Sequence, residues 1–133
     1  MIKDIHYPEV KDIAVAVVKE ETPEGVSWTV YLLNLKEVGI TSILVSSKGY
    51  GLKNGEEVKT STLRHFIDNM PAKSYATIEP IMEDVFSLSN EYWVSFYVGN
   101  VIHDKKFIFL PETISEQFLT NVPVINKKGV MIL

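Results

Sequence analysis

Three histidines are the residues of this chain that catalysis or zinc binding would most readily use. His6, His65 and His103 are not spaced like a pair of zinc ligands on one helix, and the chain has no cysteine to complete a metal site. Asp104 follows His103, but neighbouring side chains on a strand point to opposite faces and cannot form a dyad. A Gly-x-Ser-x-Gly motif, which would supply a nucleophile, is also missing. The sequence therefore predicts no catalytic residue, no metal site and no cofactor, and it leans towards a protein that is not an enzyme.

A group of carboxylates lies in a stretch without lysine or arginine, between Lys73 and Lys105. Within it, Glu79, Glu83 and Asp84 are close enough in sequence to suggest an acid–base pair or a metal site. Their spacing across a proline gives no reason to expect that they converge, so we interpret them as part of a solvated acidic edge. The alternative is a docking surface for a basic partner or a divalent cation.

The most basic region combines a glycine-rich loop with the polar side of a short predicted helix. Lys48 and Tyr50 lie in the loop Ser46–Gly51, and Arg64 and His65 lie on the helix. The backbone of a glycine-rich loop can cradle an anion, although this loop matches neither the P-loop nor the dinucleotide-binding motif. We predict a candidate anion site at Lys48, Tyr50, Arg64 and His65. The alternative is an ordinary hairpin loop.

An aromatic-rich hairpin is predicted from Glu91–Val98 and Val101–Leu110, which flank the turn Gly99-Asn100. Glycine at the first central position is typical of a type II′ turn. A two-residue turn places Trp93 opposite Lys106 on the outward face, where the ammonium group can lie over the indole ring as a cation–π pair.

The outward face of this hairpin carries aromatic residues of the kind that protein interfaces favour. Trp93 and Tyr97, with Lys106 beside them, are predicted to form an interface for a protein partner or for self-association. The same pairing puts His103 on the core face, and a bulge would remove that difficulty.

Alternation of apolar and polar residues predicts strands at four further places, which are Asp12–Glu20, Val26–Leu35, Ile40–Ser47 and Ser74–Ile81. The first two are predicted to form a hairpin. In the last of them, Glu79 is predicted to share a face with Thr77, opposite Ile78. Asn54-Gly55 predicts a two-residue turn, followed by a returning strand at Glu56–Thr60.

Two segments have helical character. Apolar residues at helical spacing predict a short helix over Thr62–Asn69, which Pro71 ends. Pro111–Leu119 is predicted to contain one or two helical turns. The apolar segments Val122–Ile125 and Gly129–Leu133 are predicted to be extended, and the last of them should be paired into a sheet or an interface.

Short strands joined by hairpin turns indicate an antiparallel sandwich or barrel. We predict a mostly β fold, an immunoglobulin-like antiparallel β-sandwich with one or two short helices, in a single domain over residues 1–133. The alternative is an α+β fold, in which the predicted helix packs on a single antiparallel sheet.

Composition limits the classes of function. The chain has 133 residues, a net charge of −4 and no cysteine. Affinity for a phosphate backbone comes mainly from clustered lysine and arginine, so the acidic composition argues against nucleic acid as a partner. No apolar run is long enough to cross a bilayer, which argues against a membrane role. The lack of cysteine and of a signal peptide favours the cytoplasm.

Five segments of the chain together carry a resemblance to a known family, namely Leu44–Gly51, Val58–Phe66, Ile78–Val85, Glu91–Phe96 and Asp104–Leu110. They resemble a family of small uncharacterised bacterial proteins of about this length, some of which carry the label phenylalanyl-tRNA synthetase beta subunit. The resemblance covers most of the chain and implies no activity and no site residue. We therefore expect, in this order, a non-enzymatic protein-interaction or structural module, a small-ligand or anion-binding domain with modest enzymatic activity, or a translation-associated accessory protein.

Overall fold

The computed structural model describes residues 8–133, so His6 and the other residues before Pro8 lie outside the described part. The strands, in chain order, are β1 (Ile13–Thr22), β2 (Gly25–Asn34), β3 (Ile40–Lys53), β4 (Glu56–Lys59), β5 (Leu63–Met70), β6 (Ser74–Ile81), β7 (Ser89–Val98), β8 (Val101–Phe109), β9 (Thr120–Val122) and β10 (Lys127–Ile132). Two short 3₁₀ turns are formed by Glu83–Val85 and Glu116–Phe118.

The strands form two antiparallel sheets that pack against each other. Sheet A has the spatial order β6-β2-β1-β10-β9, and sheet B has the order β4-β3-β7-β8, with β5 also paired to β3. Side chains of both sheets meet in a buried core that includes Val17, Val30, Leu32, Val45, Val94, Phe96 and Phe107. The predicted antiparallel sandwich is confirmed. The α+β alternative is wrong, because it required a single sheet.

Turn signals in the first half of the chain are confirmed. β1 and β2 form the predicted hairpin, whose last pair is Thr22 and Gly25. Asn54 and Gly55 join β3 to β4 with φ angles of 55° and 80°, as both central positions of a type I′ turn require. β3 runs further than predicted and ends at Lys53.

The predicted helix at Thr62–Asn69 is wrong, because this segment forms β5. It pairs with one edge of β3 along its whole length, from Met70 opposite Ile40 to Leu63 opposite Ser47. The apolar residues here fit a helical period, but the unpaired edge of β3 offers a complete set of backbone hydrogen bonds. Such tertiary pairing overrides the preference of a short segment.

The β7–β8 hairpin has the predicted register, with Trp93 opposite Lys106. Gly99 has a φ of +59°, which a type II′ turn requires at its first central position. His103 faces the interior without any bulge in this pairing. Its ring stacks on that of Phe96, which lies opposite it, with ring centres 5.0 Å apart and planes 12° apart.

The C-terminal strand lies inside sheet A, between β1 and β9. This confirms the prediction that the apolar C-terminal segment is paired into a sheet. The helical character predicted within Pro111–Leu119 is a single 3₁₀ turn. Within residues 8–133, none of the helical segments has the length and apolar character that a bilayer crossing requires.

Tyr31 gives sheet A a pH-dependent contribution to stability. Its hydroxyl donates a hydrogen bond of 2.6 Å to a carboxylate oxygen of Glu20. Burial, followed by this carboxylate, raises the pKa of Tyr31 to about 12, whereas an unfolded tyrosine titrates near about 10. The contribution is therefore complete below a pH of about 10 and is lost as the pH rises towards about 12, because only the unfolded chain then releases the proton.

We expect Tyr31→Phe to make the alkaline loss of stability less steep between a pH of about 10 and about 12. Urea unfolding of the wild-type and variant proteins at several pH values in this window measures the two slopes. The comparison isolates Tyr31, since every other tyrosine is present in both proteins. Equal slopes would contradict the raised pKa.

Candidate functional site

The outer face of sheet B is formed by the outward side chains of β5, β3, β7 and β8. Cross-strand pairing places Arg64, Ser46, Trp93 and Lys106 in one row across this face. Trp93 is 43% exposed, and Nζ of Lys106 lies 4.5 Å from the centre of the indole ring. The predicted outward position of Trp93 and its cation–π contact are confirmed.

Large apolar side chains cover much of the outer face. Six of them are more than a third exposed, namely Leu44, Phe66, Trp93, Tyr97, Ile102 and Ile108. Phe66 lies beside Leu44 across the β3–β5 pair, and Tyr97 lies beside Ile102 across the β7–β8 pair. Single exposed apolar residues are common on protein surfaces, but a contiguous patch of them often marks an interaction site.

A polar network holds the Trp93 ring in place. Its indole nitrogen donates a hydrogen bond to Asp104, and the same carboxylate oxygen accepts one of 2.7 Å from Ser95. Lys106 lies over the ring. Because the ring is already ordered, its burial by a partner would cost less side-chain entropy than burial of a mobile ring.

Charges on the outer face are mixed. Nζ of Lys48 lies 3.8 Å from a carboxylate oxygen of Glu91, whereas Arg64 forms no ion pair with any residue in the described part of the chain. Asp104 and Lys106 of β7–β8 and the exposed Asp68 of β5 complete the set. The face therefore carries three cations and three carboxylates and has no net charge, on a chain of net charge −4.

The structure divides the predicted anion site. Lys48, Tyr50 and Arg64 lie on the outer face, whereas His65 points between the sheets. The placement of His65 with the other three is wrong, because neighbours on a strand point to opposite faces while the prediction assumed a helix. Lys48 and Arg64 line a depression of about 250 Å³, but Glu91 lines it as well. An anion bound there would meet this carboxylate, which is only 6% exposed.

A β-bulge in β6 turns Glu79 into the space between the sheets. Val30 lies opposite Glu79, but the next residue, Tyr31, lies opposite Thr77, so Ile78 is the extra residue. Ile78 and Glu79 consequently both face inwards, and the predicted outward face of Glu79 is wrong. Bulges frequently re-aim a side chain next to a functional site.

Glu79 accepts hydrogen bonds from three strands of sheet B. Its Oε1 accepts from Oγ of Ser47 and pairs with Nε2 of His65, both at 2.7 Å. Its Oε2 accepts from the hydroxyl of Tyr92 at 3.3 Å. Burial, followed by the Glu79 carboxylate, raises the pKa of Tyr92 well above its usual range, so this hydroxyl stays a donor. One carboxylate of sheet A thus links β3, β5 and β7 of sheet B.

This Glu79 group, defined as Ser47, His65, Glu79 and Tyr92, does not have the geometry of a catalytic triad. In a triad the histidine lies between the nucleophile and the acid. Here the carboxylate lies between Ser47 and His65. The serine hydroxyl therefore donates to an acid that does not pass the proton on, and the group is a hydrogen-bonding site rather than an activated nucleophile.

The other two members of the acidic group do not join Glu79. Glu83 accepts a hydrogen bond of 2.9 Å from the indole of Trp28, and Asp84 is exposed to solvent. From Pro8 to the C-terminus, no three histidine, aspartate or glutamate side chains are grouped so as to hold a metal ion.

Sequence reasoning missed the Glu79 group, because its members come from four strands. A usable signal was nevertheless present, since Ser47 and Tyr92 occupy core-facing positions of β3 and β7, where their hydroxyls need partners. No family model, curated protein or solved structure matches this chain.

Proposed function

We propose that this protein is an interaction module that pairs with a second copy of itself through the outer face of sheet B. The observation that carries the proposal is the set of six apolar side chains, each more than a third exposed, on that one face. Trp93 adds an ordered aromatic anchor between two cations, Arg64 and Lys106. Tryptophan, tyrosine and arginine are the residues most often found to dominate binding energy at interfaces.

The size of the outer face supports another sheet as its occupant. Four strands of about eight residues, spaced at roughly 4.8 Å, cover on the order of 20 by 26 Å. This footprint of roughly 520 Å² is about two-thirds of the roughly 800 Å² of accessible surface that each partner buries in an interface of standard size. The same face of a second copy has the same size and the same six exposed apolar side chains.

The charge distribution also supports this occupant. The chain as a whole is acidic, with a net charge of −4, whereas the three cations and three carboxylates of the outer face balance. Two copies that meet through this face keep their acidic surfaces apart, so electrostatic repulsion between them is smallest there. Closed two-fold pairs are also the commonest form of protein oligomer.

We expect the wild-type protein to have a mass in solution about twice its chain mass of 15.1 kDa, and Leu44→Asp to have the mass of one chain. Leu44 is exposed in the single copy, so the substitution leaves the fold intact. In the pair, it would bury an unpaired carboxylate, which costs several kcal/mol. Sedimentation equilibrium over a range of about 1 to 100 μM measures both masses.

Leu133→Asp is the matched control for this experiment. Leu133 is also exposed, but it follows β10 of sheet A and lies away from the outer face. It should keep the paired mass. A wild-type protein that remains a single chain at roughly 100 μM, or a Leu44→Asp variant that remains paired, would exclude the outer face as the interface.

We also propose that the two sheets belong to the immunoglobulin-like class of sandwiches and that the protein works in the cytoplasm. The fold class is supported by the path of the chain, which passes between the sheets after β2, β5, β6 and β8, in keeping with the Greek-key connections of such folds.

The proposed cytoplasmic location is supported by the absence of cysteine, since extracellular domains of modest size commonly carry disulfides.

A further inference from the structure

A cleft opens between the two sheets beside the Glu79 group. It has a volume of about 400 Å³, within the range of small-molecule sites. Ser47 and Tyr92 are buried and the side chain of Glu79 is 13% exposed, so these groups form the inner end of the cleft. Ser61 and Asp84 line it too and are exposed, so they form its rim.

Polar side chains at the inner end have used their donors within the protein. The hydroxyls of Ser47 and Tyr92 both donate to Glu79. The side-chain nitrogen of Asn90, which also lines the cleft, donates to two backbone carbonyl oxygens. What these groups retain are acceptor positions on their oxygens. A carboxylate has about four such positions, and the hydrogen bonds to Glu79 fill three.

The inner end of the cleft is therefore rich in acceptors, and it contains the Glu79 carboxylate, whose Oε1 lies 2.7 Å from Nε2 of His65. Lys48 lines the cleft as well, but its ammonium group lies 3.8 Å from Glu91 on the outer face. Asp84 adds a second carboxylate at the rim. A ligand at this inner end must bring hydrogen-bond donors, and a positive charge on the ligand would be attracted by both carboxylates.

Apolar side chains form the walls between the inner end and the rim. These are Leu63, Pro80, Ile81, Met82 and Val85. Met82 is 71% exposed, and Leu63 is also exposed, so the wall is open to an apolar ligand. Burial of such surface by a hydrocarbon group would contribute favourably to binding.

Burial of the Glu79 carboxylate costs the folded protein free energy, which favours a role for this group other than stabilisation. Removing a carboxylate from water costs free energy that its hydrogen bonds only partly return, and apolar replacements of such groups are often neutral or stabilising. The bulge in β6 is what brings Glu79 inwards, opposite Val30 on the core face of β2. Without the bulge, Glu79 would lie in solvent and the inner end of the cleft would hold no charge.

We propose that this cleft binds a small organic cation, a protonated primary amine attached to a hydrocarbon or aromatic body. The ammonium group donates to the remaining acceptor position on Oε2 of Glu79 and to the hydroxyl oxygens of Ser47 and Tyr92. The apolar body lies along Pro80, Ile81 and Met82. This binding is independent of the pairing through the outer face, so either proposal can fail without the other.

The test compares three phenyl probes of similar size whose polar end is a cation, an anion or neutral, namely phenethylammonium, phenylacetate and 2-phenylethanol. Hexylammonium serves as a second amine. Isothermal titration and thermal unfolding are measured for each probe with wild-type protein. We expect both amines to bind and to raise the Tm by roughly 5 °C or more near a hundredfold excess over Kd. Phenylacetate should bind at least about tenfold more weakly than phenethylammonium, which carries the opposite charge.

Glu79→Gln is the first variant, and Glu83→Gln is its matched control. We expect Glu79→Gln to weaken amine binding at least about tenfold and Glu83→Gln to leave it unchanged, because Glu83 is engaged with Trp28. If Glu79→Gln fails to fold, Tyr92→Phe removes one acceptor oxygen and should weaken amine binding severalfold. Amide chemical shifts of the wild-type protein add a second measurement, in which the amines should perturb Ser61, Ile81 and Met82.

Three results would overturn the proposal. The first is that neither amine binds below roughly 10 mM. The second is that phenylacetate binds as tightly as phenethylammonium. The third is that the shift changes gather on the outer face around Trp93 instead of around Ile81 and Met82.

Discussion

Replacing Gly129 by alanine is expected to lower the free energy of unfolding by about 3 kcal/mol or more. Gly129 lies in β10, opposite Val18 of β1 and Thr120 of β9. An alanine Cβ would lie 2.7 Å from the carbonyl oxygen of Val17 and 3.0 Å from a methyl carbon of Val122. The carbonyl belongs to a paired strand and cannot rotate away as a side chain would. The two strands would have to separate, at the expense of their backbone hydrogen bonds.

Urea unfolding of wild-type protein and Gly129→Ala measures this loss, and Gly39→Ala is the matched control. A Cβ at Gly39 would lie 3.3 Å from the carbonyl oxygen of Met70, which is tight without severe overlap, so the expected loss is below about 1 kcal/mol. Similar losses in the two variants would show that the close approach of β10 to β1 does not set the requirement for glycine.

Short-range signals predicted most of the strands and the β7–β8 part of the outer face. Asn54-Gly55 and Gly99-Asn100 define two-residue turns, and a two-residue turn fixes the register of the strands that it joins. Register then fixes which side chains share a face, and that is why the pairing of Trp93 with Lys106 could be predicted. No long-range information was needed for either result.

β5 could not be predicted, because its structure depends on a distant strand. Leu63, Phe66, Ile67 and Met70 have helical spacing, and no local signal opposes a helix. The segment is extended because it pairs with one edge of β3 from Ile40 to Ser47. Because the segment is a strand, His65 points into the interior and does not lie on the basic surface where the predicted helix would have placed it.

The Glu79 group was beyond sequence reasoning for a different reason. A β-bulge shifts every later residue of a strand to the opposite face. The segment Ile78-Glu79-Pro80 contains no glycine that would indicate a bulge. The bulge in β6 alone decides whether Glu79 meets solvent or meets Ser47, His65 and Tyr92. The cleft beside it was therefore invisible in the alternation pattern.

Replacing Glu79 by alanine is expected to lower the free energy of unfolding by about 3 to 5 kcal/mol. The substitution removes the acceptor of three hydrogen bonds, and the hydroxyls of Ser47 and Tyr92 are then buried without a partner. Such groups cost their full desolvation energy. Glu79→Gln keeps the shape and one carbonyl acceptor, so we expect a smaller loss of about 1 to 3 kcal/mol.

Urea unfolding measures these losses, with Glu57→Ala on the exposed strand β4 as the surface control, expected within about 0.5 kcal/mol of wild type. A double-mutant cycle with Tyr92→Phe then isolates the hydrogen bond between Tyr92 and Glu79. If the carboxylate links the sheets as described, the two substitutions together should cost less than the sum of each alone, because Tyr92→Phe removes a hydroxyl that Glu79→Ala leaves unpaired. Additive losses, or a loss below about 1 kcal/mol for Glu79→Ala, would show that the carboxylate is not anchored. The ordered acceptor on which amine binding depends would then be missing as well.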